Sequence, residues 1–303
     1  MVKANKESFK GYFLAIISAI SYGLIPLFAL PLITNGMQND SILFLRFSIA
    51  SICIGIVMIY KKITFKVTFA EFLTLCSLGF FFSISSMFLF QSYKYLSSGL
   101  STSILFIYPI MVALFMRLIF KEKLKPITFF CMIAAILGVF ILYWGGGTTV
   151  NTIGVIYALL SGLSYSFYII IINKSNVKNI KGIKITFYSM LITAIIFFVK
   201  SMIYSDGIQI PPTPNSWINL ILLGIIATAV SCVTLADAIK IIGSTNTAVL
   251  GAIDPVTAIL IGIFVFDEPF TFNLAIGMIL IIGSVTIMII ESRFREFVQK
   301  LIK

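Results

Sequence analysis

The chain has 303 residues, 59% of them hydrophobic and 11% charged, with a mean hydropathy of +1.08. A water-soluble protein of this length needs more charge on its surface, so the composition excludes a soluble fold and makes the bilayer the solvent. The net charge of +11 would suit a nucleic-acid binder, but its placement along the chain argues against that role.

A spanning helix needs about 20 apolar residues. Ten stretches qualify in chain order: roughly 12–33, 41–60, 72–93, 99–120, 126–144, 152–173, 184–204, 217–239, 244–266 and 272–290. Short loops connect them, and the first is too long for a signal-peptide core, so it is read as a retained span. Of the 22 basic residues, 18 fall in alternate loops and the tails: Lys3 to Lys10, Lys61 to Lys66, Lys121 to Lys125, Lys174 to Lys184, Lys240, and Arg293 to Lys303. That alternation is the positive-inside pattern and predicts a multi-pass protein of the cytoplasmic membrane with both termini cytoplasmic. From Glu291 the tail sets Phe294, Phe297, Val298 and Leu301 on one helical face, as for a short helix lying on an anionic leaflet.

The chain repeats itself. Pro109 and Glu122 recur as Pro255 and Glu268, and Lys94 recurs as Lys240, each 146 residues later. Residues 15–22 resemble 158–165 at an offset of 143. Five spans per copy is an odd number, so the second copy enters from the opposite side. The expected fold is an all-α integral membrane protein of ten transmembrane helices in two inverted five-helix repeats, 1–150 and 151–303, joined by an uncharged linker over 145–151. Inverted repeats of this kind serve alternating access.

Ser92-Tyr93-Lys94-Tyr95, a following span with a central proline, and Lys121-Glu122-Lys123-Leu124 form one set of motifs. Ala238-Ile239-Lys240-Ile241, Asp254-Pro255 and Asp267-Glu268-Pro269 form the second. Together they resemble the EamA-type drug/metabolite transporter superfamily over about residues 11–290. The resemblance implies a secondary transporter whose central cavity is lined mainly by spans 1, 3, 4, 6, 8 and 9, and it favours export of amino acids or related metabolites. Asp254 stands where members of that superfamily often carry Glu.

Charge inside hydrocarbon is costly and marks function or pairing. Arg46 in span 2 can snorkel to the headgroups, pair within the bundle, or anchor a substrate carboxylate. Asp254, directly before Pro255 in span 9, can bind an amine, take up a proton, or sit neutral in a hydrogen bond to a neighbouring helix. Asp237 is expected to pair with Lys240 at the inner interface. Tyr157, Ser161, Ser164, Tyr165 and Tyr168 share one face of span 6, and Ser18, Ser21 and Tyr22 form the matching patch on span 1. Such a face points inward, to line a cavity or to pack helices closely. Gln91, Tyr108, Thr228 and Ser231 complete the candidate substrate-binding set.

Pro109 and Pro255 are candidate hinges. Lys94 with Glu268, and Lys240 with Glu122, are candidate gate pairs on opposite faces; snorkelling lysines and helix-capping glutamates are the competing reading. The chain has no His and no phosphate-binding Gly-x-x-x-x-Gly-Lys motif, and its four cysteines are scattered singly. No cofactor, metal or catalytic group is expected. The partners expected are a small-molecule substrate and the bilayer, with a proton as candidate coupling ion, in a monomer or homodimer. An importer of a quaternary amine or an exporter of cationic drugs is the alternative, and a membrane receptor or enzyme ranks below both.

Overall fold

A computed structural model describes residues 2–121, 126–144, 151–204, 207–269 and 271–301. The chain is all-helical, and among the described residues there is no strand. Seven helical stretches are long and apolar enough to cross a membrane: Phe9–Thr34, Asn39–Tyr60, Phe69–Ser92, Ser98–Phe120, Thr152–Lys174, Gly182–Tyr204 and Pro214–Ile239. Three shorter apolar helices, Phe129–Ile141, Ile253–Phe266 and Phe272–Ile287, occupy the stretches expected as spans 5, 9 and 10.

Several expected spans are built from two pieces, and proline placement explains most of the breaks. Span 1 is α1 (Val2–Gly23) followed by α2 (Ile25–Thr34), with Pro26 in the first turn of α2. Spans 2 and 3 are α3 (Asn39–Tyr60) and α4 (Phe69–Ser92). Span 4 is α5 (Ser98–Leu105) and α6 (Tyr108–Phe120), and α7 is Pro126–Trp144. Pro109 therefore does not kink a continuous helix; it sits in the first turn of a new one, where its missing N–H costs no hydrogen bond.

The second half contains α8 (Thr152–Lys174) and α9 (Gly182–Tyr204), which are spans 6 and 7. Span 8 is α10 (Pro214–Gly224), a π-helical turn over Ile225–Val230, and the first part of α11 (Ser231–Leu250). α12 (Ile253–Phe266) again opens with a proline, Pro255, in its first turn. The last helix, α13 (Phe272–Leu301), runs without a break into the basic tail, so the tail is continuous with span 10 rather than a separate helix.

Pairs of elements repeat across the halves. α6 ends on Lys121 and α12 on Asp267, both left-handed, with φ of 55° and 51°. These residues also lie 146 apart. α1 packs along α11 and α8 along α4, so span 1 meets span 8 as span 6 meets span 3. α3 packs on α9, α5 on α12, and α7 on α13. Counted by whole spans, each contact maps onto itself or onto its mate when the two copies are exchanged, the relation expected of a two-fold axis, although among the described residues the α5–α12 contact within the span 4–span 9 pair has no counterpart of like extent between α11 and α6.

Small residues set the close approaches. A Cβ on Gly79 of α4 would lie 2.5 Å from Ile192 of α9, and one on Gly224 of α10 would lie 2.7 Å from Ile49 of α3. Gly23 of α1 lies against Thr257 and the Asp254 carbonyl, whereas Gly11 lies against Ile241 and Ile242. The chain after Ser231 thus follows α1 toward its N-terminus and then returns, which brings Asp254 back to the level of Tyr22.

Candidate functional site

The helix junctions consume several hydroxyls that the sequence offers to a cavity. Ser18 donates to the Ser231 carbonyl at 2.8 Å, and Ser231 returns a bond to the Ser18 carbonyl at 3.0 Å. On the other side, Ser161 donates to the Ser85 carbonyl at 2.7 Å, with the two hydroxyls 3.2 Å apart. All four are buried. Ser164 is satisfied within its own helix by the Leu160 carbonyl. These serines hold α1 to α11 and α8 to α4, which is the packing alternative open from the sequence.

The polar-aromatic centre lies between those two junctions. Arg46 of α3 is 2% exposed, so it does not snorkel. Its Nε donates to Thr228 Oγ1 at 2.8 Å, and Phe47 and Phe90 lie under its guanidinium at 5.0 and 5.7 Å. No carboxylate comes within ion-pair distance of it among the described residues. Its electrostatic neighbours are Tyr22, Tyr93 and Cys232.

Asp254 lies in the first turn of α12. Its Oδ1 is buried without a hydrogen-bond partner. Tyr22 and Tyr93 lie near enough to both Arg46 and Asp254 to feel the charge of each. Tyr108 also borders Asp254 and meets Tyr165 edge-on at 4.7 Å. Tyr165 stacks on Tyr168 at 5.5 Å, and Phe82 lies 5.3 Å from Tyr168. The result is a tyrosine-walled centre bordered by a cation and by a carboxylate.

The structure therefore brings together Tyr22, Arg46, Tyr108, Tyr165, Tyr168 and Asp254. Tyr157 stands apart, packed on Phe88 and Tyr95 at 5.8 and 5.9 Å. Gln91 is half-buried near the end of α4. Two groups in the centre carried no sequence signal of their own: Tyr93, inside the quoted Ser-Tyr-Lys-Tyr motif, and Cys232, read as core. The first repeat has Tyr93 where the second has Ile239, so comparing the copies at their 146-residue offset would have drawn attention to it.

The candidate gates have other partners in this conformation. Lys94 is exposed and makes no ion pair with Glu268. Glu268 Oε1 accepts from the Ser98 N–H at 2.8 Å, so the carboxylate caps the first turn of α5. Gly262 makes room for it, because a Cβ there would lie 2.1 Å from Glu268 Oε2. Asp237 pairs with Lys61 at 3.1 Å, and Lys200 of α9 pairs with Asp40 at 2.7 Å. Glu122 and the linker stretch 145–150 lie outside the described residues, as does the Lys240 side chain.

Among the described residues no three His, Cys, Asp or Glu side chains gather as metal ligands. A crevice of about 430 Å³ between α6, α7 and α8 is walled by apolar groups such as Met111, Met132 and Phe140. A second, of about 320 Å³, lies between α3 and α9. Neither touches Arg46 or Asp254, and walls of that kind suit acyl chains better than a charged solute.

The sequence model of the EamA-like transporter family matches the chain twice, over residues 9–144 and 152–290. An uncharacterized transporter of Bacillus subtilis is 23% identical over 299 residues, covering 95% of this chain and 92% of that protein. One from Clostridium kluyveri is 24% identical over 288 residues, covering 91% and 92%. One from Archaeoglobus fulgidus is 29% identical over 136 residues, covering 45% and 47%. A solved crystal structure shares the fold at a TM-score of 0.67 and 16% identity, covering 91% of this chain and 97% of that one.

Proposed function

We propose, from the premise that the chain belongs to the EamA-like transporter family, that this membrane transporter moves small zwitterions, amino acids or related amines, by alternating access. One observation carries the reading. A buried guanidinium without a carboxylate partner and a buried carboxylate oxygen without a hydrogen-bond donor flank the same tyrosines. Unpaired buried charges are costly, and a zwitterion supplies both missing partners at once. Its carboxylate meets Arg46, its ammonium meets Asp254, and its side chain packs on Tyr108, Tyr165 and Tyr168.

The remaining features are assigned on the same reading. On this reading the chain forms ten spans in two inverted halves, 1–150 and 151–303, and the alternation of basic loops supports both termini being cytoplasmic in a protein of the cytoplasmic membrane. The breaks before Pro109 and Pro255 are the bend points between states; unchanged turnover in well-expressed Pro109→Ala and Pro255→Ala variants would remove that role. Export is the assigned direction, and a proton carried on Asp254 the assigned coupling. Three tyrosines beside one carboxylate, with Tyr165 and Tyr168 stacked on from Tyr108, also suit a quaternary amine or cationic drug, which is the second reading.

Proteoliposomes given a panel of labelled amino acids, their decarboxylated amines, a quaternary amine and simple carboxylates test the reading. Zwitterions moving fastest supports it, and quaternary amines moving fastest replaces it with the second. Proton coupling is tested by imposing a pH gradient on Asp254→Asn, which should lose any gradient dependence the wild type shows.

A further inference from the structure

The two halves differ by one residue at a telling place. Gly79 on α4 and Gly224 on α10 make equivalent contacts, with Ile192 and Ile49. The carbonyls of Ser85 and Ser231 also accept equivalent bonds, from the hydroxyls of Ser161 and Ser18. From glycine to serine is six residues in the first copy and seven in the second. In the first copy the stretch is regular α-helix; in the second it holds the π-helical turn Ile225–Val230. A π turn absorbs one extra residue without shifting the helix on either side, and such turns recur at functional sites.

That turn presents Thr228 to Arg46. Thr228 is 1% exposed; its hydroxyl donates to the Leu223 carbonyl, five residues back, at 2.8 Å and accepts from Arg46 Nε at 2.8 Å. The corresponding stretch of the first copy has Ser83, which bonds only its own helix at Phe80, and the place matching Arg46 is taken by Ser189. The extra residue and the arginine thus occur together, in one half only.

The geometry points to Thr228 as a positioning residue for carboxylate recognition. The π turn carries its hydroxyl to Arg46 Nε and leaves the two terminal nitrogens of the guanidinium to grip a substrate carboxylate end-on. Among the described residues those nitrogens make no hydrogen bond with protein. With Nε occupied, the paired Nη edge is the one fork of the planar group open to bidentate binding. Losing the Thr228 bond lets the guanidinium swing and costs the carboxylate specifically. The inference rests on the zwitterion reading above.

The test compares wild type, Thr228→Val, Thr228→Ser and Arg46→Gln in proteoliposomes, with an amino-acid panel matched to decarboxylated amines, L-phenylalanine against phenethylamine among them. Melting and elution profiles confirm folding. Thr228→Val should lower amino-acid flux through KM about tenfold more than the matching amine flux, the scale of one charge-assisted hydrogen bond, and Thr228→Ser should restore the ratio. Equal losses for both members of a pair, or no rescue by Ser, overturn the inference. If Arg46→Gln collapses the ratio while Thr228→Val does not, positioning fails and the zwitterion reading stands. If Arg46→Gln leaves the ratio unchanged, or wild type moves no amino acid, that reading fails and the inference with it.

Discussion

Spans 3 and 8 do the same packing job in the two halves, yet only span 8 does a second one. Both use a glycine to approach a neighbouring helix and a serine to lock onto another. Span 3 runs as plain helix between those points, whereas span 8 departs into a π turn and there meets Arg46. Near-identical frames keep the halves exchangeable, and a one-residue departure from the frame makes room for chemistry.

The largest effect that separates the two spans is expected at the glycines. Gly79→Ala and Gly224→Ala each force a β-carbon onto a β-branched isoleucine and should each cost about 1–3 kcal/mol of stability. The Arg46 carbonyl lies 3.2 Å from the Cβ position of Gly224, so Gly224→Ala should also depress amino-acid flux beyond its effect on melting. Equal flux in the two variants at matched stability would erase the proposed difference between the spans.

Next in size is the carboxylate cap. Glu268→Ala should cost about 1 kcal/mol by uncapping α5, and Gly262→Ala should do the same by displacing the carboxylate. A Lys94→Glu, Glu268→Lys double variant distinguishes cap from gate. Transport restored relative to the singles would mean that the two residues pair in another state, whereas additive loss assigns Glu268 to the cap alone. Smallest are the serine locks. Ser161→Ala and Ser18→Ala, which remove the hydroxyls that donate to the Ser85 and Ser231 carbonyls, should each lower stability by about 0.6 kcal/mol, a usual value for an interhelical bond in a membrane. A large difference between them in melting temperature would show that the two junctions are not equivalent.

Much of the frame was legible in the sequence because apolar length and basic loops are linear signals. The 146-residue spacing of Pro109 and Pro255 returns as paired helix starts, and the family resemblance it supported is confirmed by the double match. The π turn was written as six against seven residues from glycine to serine. That count becomes readable once contacts show which glycine answers to which. Ser18, Ser161 and Ser231 show the limit of periodicity: it places a hydroxyl on an inward face without saying whether a cavity or a helix waits there. Tyr93 was hidden for the opposite reason, since a motif quoted for its lysine drew attention away from the neighbour that the fold turns inward.

The central claim is that Arg46 and Asp254 read opposite ends of one solute. The most direct measurement is the flux ratio of L-phenylalanine to phenethylamine, and of L-phenylalanine to its des-amino acid, in wild type, Arg46→Gln and Asp254→Asn. The account predicts that Arg46→Gln erases the preference over phenethylamine and Asp254→Asn erases the preference over the des-amino acid. Either variant keeping both wild-type preferences would contradict it.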